Sequence, residues 1–334
     1  MTGSIYKRKI SKILVVVAIF TLYGCQSGIE RQPAGTPLKL SLAVSPATYS
    51  ALIAVADENG YFEKAGLDLS IDLYPSGKEA LEAVCRGEAM VATAADIAFY
   101  AKIFEDPSLR VLASIGTNTG SQIVARRDRN IQKPSDLAGK KIGYSSGTVS
   151  DYFLYAFLIT EDISIDKTML VDIAPARQAE AIVNGEVDAV SAFEIFAFSA
   201  KESMGENAVS WNSQNNLGFH WLLVTRENLT RSPEVLKRLL KALIKAEDFV
   251  VHKEEQTKNM LAYQWGFDSD FMAYSWPKNR LSVSFSQSIV ISLQNYNIWQ
   301  QSKGEILADR SDVLDYLHYA ILEELAPVLV SIYR

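Results

Sequence analysis

Two stretches of this chain repeat one joint. Val84-Cys85-Arg86-Gly87-Glu88-Ala89-Met90-Val91-Ala92 and Ile182-Val183-Asn184-Gly185-Glu186-Val187-Asp188-Ala189-Val190 each read as a helix end, a Gly-Glu turn and an apolar strand. Glycine stops a helix readily because it adopts the left-handed conformation that other side chains oppose. Strand and helix patterns alternate around both joints, which calls for helices layered on a mostly parallel sheet. Two such series in one chain suit two α/β lobes of similar design.

The first series reads as strands over 38–44, 69–74, 89–93 and 110–114, with helices over 49–59, 78–86 and 94–102 between them. The second reads as strands over 123–126, 142–144, 169–173 and 187–193, with helices after Thr148 and over 177–184. Beyond an apolar strand at 219–225 the pattern turns helical. Ser232-Pro233-Glu234 opens a long amphipathic helix with Val235, Leu236, Leu239, Leu240, Leu243 and Ile244 on one stripe. Helical patterns continue to the end, interrupted at Trp276-Pro277, and are too polar between stripes to stand alone. The expected division is one lobe from 38–120 plus 225–334 and a second from 121–224.

The 334 residues are 48% apolar and 22% charged, with a net charge of -6. This is a globular composition of two-domain length, without the basic face that nucleic-acid binding requires. At the N-terminus, Lys7, Arg8, Lys9 and Lys12 precede an apolar run from Ile13 to Tyr23. A spanning helix needs about 20 apolar residues, so the run fits the core of a signal peptide over 1–24. It ends in Leu22-Tyr23-Gly24-Cys25, which resembles the lipobox of bacterial lipoproteins. That resemblance implies lipid on Cys25 and a place on the outer side of a bacterial membrane; a plain secretory signal is the alternative. Residues 25–37 read as a flexible tether. The other cysteine, Cys85, lies among Leu81, Ala83 and Val84 and reads as a small core residue. Two cysteines and three scattered histidines form no metal-ligand pattern, so neither metal nor cofactor is expected.

One turn carries most of the chemistry. Ile142-Gly143-Tyr144-Ser145-Ser146-Gly147-Thr148-Val149-Ser150-Asp151 reads as strand, hydroxyl-rich turn and helix start. Thr148 and Asp151 have the spacing of a capping box. A helix N-terminus offers unpaired N–H groups and partial positive charge, and Ser145, Ser146 and Thr148 add hydroxyls around Gly147. The set suits a small polar or anionic ligand, and it equally suits a cap that serves only its own helix.

Four stretches, one of them within the second joint, complete the pattern. They are Asn59-Gly60-Tyr61-Phe62-Glu63-Lys64-Ala65-Gly66-Leu67, Asp136-Leu137-Ala138-Gly139-Lys140-Lys141-Ile142-Gly143, Asn184-Gly185-Glu186-Val187-Asp188-Ala189, and Val283-Ser284-Phe285-Ser286-Gln287-Ser288 with Trp299. In their order and spacing the chain resembles the solute-binding proteins of ABC transporters in the nitrate, sulfonate and taurine group. These are related to the proteins that bind pyrimidine precursors of thiamine. The resemblance implies the two-lobed periplasmic-binding-protein fold (type II), with two crossover segments and a ligand cleft between the lobes. It implies closure on the ligand by hinge motion, delivery to a permease with its ATPase, a monomer, and no catalysis.

In α/β sheets ligands bind at turns after strands. The first lobe offers Ser45, Thr48, Tyr49, Ser76, Gly77, Thr93 and Asp96, with Thr117 and Asn118 near the crossover. The second offers Ser145, Ser146, Gly147, Thr148 and Glu194. Tyr49 could stack on a flat ligand or fill the core. Asp96 reads first as the N-terminal charge of its helix. Glu194 reads equally as a helix-start carboxylate and as an acceptor for a ligand amine; Ile195 stands where the family often has proline. The cleft turns hold no arginine. The expected solute is small and polar or anionic, nitrate-, sulfonate- or taurine-like, with a pyrimidine precursor as the alternative. Asp96 and Glu194 lean toward a ligand with donor groups. A sensor or partner-binding lipoprotein without transport, and an enzyme on the same fold, are the rival classes.

Overall fold

The computed structural model describes residues 36–212, 217–304 and 313–333. The expected signal peptide, its Cys25 and nearly all of the tether lie outside them. The strands that form the two main sheets are β1 (Leu38–Val44), β2 (Leu67–Leu73), β3 (Val91–Ala95), β4 (Leu109–Asn118), β5 (Gln122–Arg126), β6 (Lys141–Tyr144), β7 (Met169–Asp172), β8 (Ala189–Ala192), β9 (Ala208–Trp211), β10 (Phe219–Arg226) and β11 (Asn279–Arg280). The first sheet has the order β11-β4-β10-β3-β1-β2, the second β7-β6-β8-β5-β9.

Helices α1 (Ala51–Glu58), α2 (Tyr61–Lys64) and α3 (Gly77–Arg86) return the chain between parallel β1, β2 and β3. Parallel neighbours require such crossovers. Helix α4 (Asp96–Lys102) follows β3. In the second sheet α5 (Val149–Thr160) and α6 (Gln178–Val183) serve parallel β6, β7 and β8, and α7 (Glu194–Met204) follows β8. The sheets are parallel only in these halves. β4 and β10 run antiparallel to their neighbours in the first sheet, and β5 does so in the second. β4 and β5 flank one passage between lobes and β9 and β10 the other, and all four pair antiparallel, so "mostly parallel" describes only the half of each sheet away from the crossovers.

One expected boundary moves. β10 lies between β4 and β3 in the first sheet, so 219–224 do not belong with the second lobe. Residues Phe219 to Thr225 are all buried. A strand covered on both faces shows no alternation, and nothing in its pattern says which sheet it joins. The chain leaves the first sheet between Asn118 and Gln122 and returns to it between Trp211 and Phe219.

The C-terminal helices α8 (Glu227–Thr230), α9 (Pro233–His252), α10 (Glu254–Trp265), α11 (Ser269–Ser275), α12 (Gln287–Ser302) and α13 (Ala320–Leu325) follow. The stripe of α9 through Val235, Leu236, Leu239, Leu240 and Leu243 enters the core of the first lobe, as does Trp299 of α12. The second lobe has a core on each face of its sheet. Ile123 faces Ile142, Phe153 and Phe157, while the next residue, Val124, faces Ile182, Val190 and Ala197. This is the alternation of a strand covered on both sides.

Candidate functional site

A cavity of about 80 Å³ lies between the lobes. One water-sized probe needs roughly 10–15 Å³, so there is room for about one small ring. Its first-lobe walls follow the strand ends: Ser45, Pro46 and Tyr49 after β1, Pro75, Ser76, Gly77 and Lys78 after β2, and Ala95 and Ala98 after β3, with Phe219 and Trp221 from β10. The second lobe supplies Thr148 and Val149 at the start of α5, and Phe193, Ile195 and Phe196 at the start of α7.

Aromatic rings stand on both sides of the cavity: Tyr49, Phe219 and Trp221 from the first lobe, Phe193 and Phe196 from the second. Tyr49 meets Phe219 edge-on at 5.2 Å and Trp221 at 4.6 Å between ring centroids. Trp221 Nε1 donates to Ser50 Oγ (2.7 Å), which donates to the Ser45 carbonyl (2.9 Å). This chain fixes the indole against the turn after β1. Gly77 starts α3 against that indole, and a Cβ there would sit 2.5 Å from Trp221 Cη2. No side chain other than hydrogen fits without moving the wall. Among the described residues the Tyr49 hydroxyl makes no hydrogen bond to another group, although only 7% of the residue is exposed. Burial, with the Glu194 charge nearby, raises its pKa, so it stays a neutral donor. Lys78 Nζ spans the mouth and donates to the Ser146 carbonyl of the second lobe at 3.3 Å.

Of the residues singled out in the sequence, Ser45, Tyr49, Ser76, Gly77 and Thr148 line the cavity. The others stand behind it or beside it. Thr93 Oγ1 accepts from Ser45 N (3.2 Å) and shapes the turn after β1. Thr117 and Asn118 end β4, and the Asn118 side chain donates to Glu194. Ser145 is buried, its N–H donating to Ser150 Oγ and its carbonyl accepting from Thr148 Oγ1. Ser146 is exposed and its backbone N–H donates to Asp172 Oδ1. Gly147 has φ +68°, a Cβ there would stand 4.0 Å from Lys78 Nζ, and the residue lines a separate groove with Asp151 and Lys303.

The two acids are both fully occupied by the protein. Asp96 opens α4 with no exposure and accepts from Ile97 N (2.9 Å), His220 N (3.0 Å) and Tyr296 OH (2.9 Å). Burial pushes its carboxyl up to about 7 against the pull of those bonds. Glu194 opens α7, 2% exposed, and accepts from Thr48 Oγ1 (2.7 Å), Ser275 Oγ (2.6 Å) and Asn118 Nδ2. Burial raises its pKa too, opposed by these donors and by Lys278. The acids therefore give no support to a donor-bearing ligand. The cavity itself offers donors: the Tyr49 hydroxyl, Lys78, and the unpaired N–H groups at the starts of α3, α5 and α7.

Several lining residues went unrecognised in the sequence, the bulkiest and the one cation among them being Phe193, Ile195, Phe196, Phe219, Trp221 and Lys78. One signal was present, since Phe219 and Trp221 are two apart on a strand and so share a face. Among the described residues no group of three or more His, Cys, Asp or Glu could hold a metal.

Residues 47–257 match a family model described as NMT1/THI5 like. A formylaminopyrimidine-binding protein of Halalkalibacterium halodurans is 22% identical over 256 residues, 75% of this chain and 77% of its own length. The alkanesulfonate-binding protein SsuA from Xanthomonas axonopodis pv. citri, solved bound to MOPS, superposes with a TM-score of 0.72 at 18% identity, covering 86% of this chain and 100% of that one. The periplasmic nitrate-binding protein NrtA from Synechocystis PCC 6803 gives a TM-score of 0.72 at 13% identity, covering 88% of this chain and 89% of that one. The fold is that of the two-lobed periplasmic binding proteins, and, by a family model that spans most of both lobes, the chain belongs to the NMT1/THI5-like family.

Proposed function

We propose that this protein is an extracytoplasmic solute-binding protein of an ABC importer, held to the membrane by lipid on Cys25, and that its solute is a small flat ring compound of the pyrimidine-precursor kind. It works as a monomer that hands the closed, loaded cleft to a permease and its ATPase. The observation that carries this reading is the aromatic wall on both sides of the cavity: Tyr49, Phe219 and Trp221 from one lobe, Phe193 and Phe196 from the other. A flat ring touching both lobes stabilises the closed form because only that form makes every contact. The relative named for formylaminopyrimidine supports the same class. A small sulfonate is the second reading, favoured by Lys78 and the helix starts around the cavity. Nitrate is the weaker candidate, since aromatic walls offer it little.

The test begins with the full-length chain expressed in a bacterium. Recovery in the membrane fraction, lost in Cys25→Ser, is the expected behaviour of the anchor. Calorimetry on the purified protein against formylaminopyrimidine, MOPS, taurine and nitrate then ranks the solutes. Formylaminopyrimidine should bind tightest. Tightest binding of nitrate, or no heat from any of the four, would overturn the assignment of the solute class.

A further inference from the structure

Glu194 reads equally in the sequence as a helix-start carboxylate and as a ligand acceptor, yet among the described residues every side-chain bond it accepts comes from the other lobe. Thr48 and Ser275 donate to Oε1 at 2.7 and 2.6 Å, and Asn118 donates to Oε2. Those donors are themselves fixed. Asn118 Oδ1 accepts from Gly120 N (2.8 Å), and its Nδ2 also donates to Asn279 Oδ1 (2.9 Å). Asn279 Nδ2 in turn donates to Thr48 Oγ1 (2.9 Å) and to the Ser275 carbonyl (2.8 Å). The carboxylate lies so close against Gly120 that a Cβ there would stand 2.3 Å from Oε2. None of Glu194, Thr48, Ser275, Asn118 or Asn279 lines the cavity.

Their neighbours in sequence do. Thr48 immediately precedes Tyr49, and Glu194 sits between Phe193 and Ile195-Phe196. One buried carboxylate thus ties the turn that bears Tyr49 to the helix start that bears the facing rings. We infer that Glu194 is a positioning residue that sets the width of the aromatic slot through Thr48, Asn118 and Ser275, without touching the solute. The inference rests on the reading that this cavity is the solute site. Hydrogen bonds to a buried charge are among the stronger ones, and a partner removed leaves the rest unsatisfied. The two walls should therefore loosen together when any one donor is lost.

Three variants test this: Glu194→Gln, Ser275→Ala and the pair combined. Affinity for formylaminopyrimidine is read by calorimetry. Hydrogen–deuterium exchange over 46–50 and 193–196 is read with no solute present. Both single variants should lose at least tenfold in affinity, the double no more than the worse single, and both segments should exchange faster in each. Loss of affinity in Glu194→Gln with wild-type affinity in Ser275→Ala would show that Glu194 reads the solute directly and would overturn the inference. Unchanged exchange in both segments would overturn it as well. Wild-type protein that binds no solute of the panel would instead count against the proposed function, and exchange alone then decides on Glu194. Ser275→Ala, the milder change, serves where Glu194→Gln does not fold.

Discussion

Asp96 is a carboxylate with no access to water, set where β3 gives way to α4 and capped by His220 N–H and the Tyr296 hydroxyl. Its pKa is raised to about 7 by burial, against roughly 3.9 in an unfolded chain. The folded state therefore holds the proton more tightly, and the associated stability is complete below about pH 4 and is lost as pH rises to 7. Three units correspond to about 4 kcal/mol. His220, whose backbone caps Asp96, works in the opposite direction. Burial lowers its imidazole to about 4, so it removes stability as pH falls from 6.5. Only a difference isolates the acid. In urea melts at pH 4.5, 6 and 8, wild-type stability minus that of Asp96→Asn should decrease by a few kcal/mol toward pH 8. A difference independent of pH would mean that Asp96 is ionised throughout.

At the scale of elements, the start of α5 shows what a pattern can and cannot reveal. The capping residue, the helix and the positive-φ glycine stand where the sequence puts them, but the box is shifted by one residue. Thr148 Oγ1 accepts from Ser150 N (3.2 Å), not from Asp151, and Asp151 Oδ2 accepts from Gly147 N (3.1 Å). Thr148→Ala should cost about 1 kcal/mol in a thermal or urea melt and weaken solute binding, because Thr148 also lines the cavity. Ser146→Ala should change neither by more than twofold, because Ser146 engages only its backbone and stays exposed; an equal loss in both variants would refute this division of labour. Strands with local signals were legible in the same way, since alternation and glycine stops act over a few residues. What was not legible depends on distant neighbours. The place of β10 in the first sheet, the aromatic wall that Phe219 and Trp221 make with Tyr49, and the bonds from Ser275 and Asn118 to Glu194 join residues far apart in the chain, from 76 positions for Asn118 and Glu194 to more than twice that for Tyr49 and Trp221. No periodicity records such a meeting. β9 was missed for a plainer reason: Ala208–Trp211 is four residues long, between Asn207 and Asn212.

Across the whole molecule the lobes also meet away from the cavity. Tyr152 of α5 packs edge-on against Tyr296 at 4.8 Å and Trp299 at 5.3 Å, both on α12. Tyr155 OH lies 2.9 Å from Ser302 Oγ, and Lys303 pairs with Asp151 at 3.4 Å. On α7, Phe198 meets Phe271 and Tyr274, and Lys201 Nζ stands 4.3 Å from the centre of the Tyr274 ring. These contacts favour the closed arrangement whatever fills the cleft, so they set how much binding energy a solute must supply for closure. Aromatic pairs contribute about 0.5–1.5 kcal/mol each beyond area, whereas a partly exposed ion pair contributes little. The two rings on Tyr152 together are then worth roughly 1–3 kcal/mol, enough to move an open–closed ratio by about 5-fold to 150-fold. Tyr152→Ala should enlarge the radius of gyration in solution scattering and weaken solute affinity about tenfold, although Tyr152 does not line the cavity. Lys303→Ala should leave both within twofold of wild type. If Tyr152→Ala binds solute as wild type does and scatters identically, these contacts do not bias closure, and the balance between open and closed forms lies with the crossovers and the solute alone.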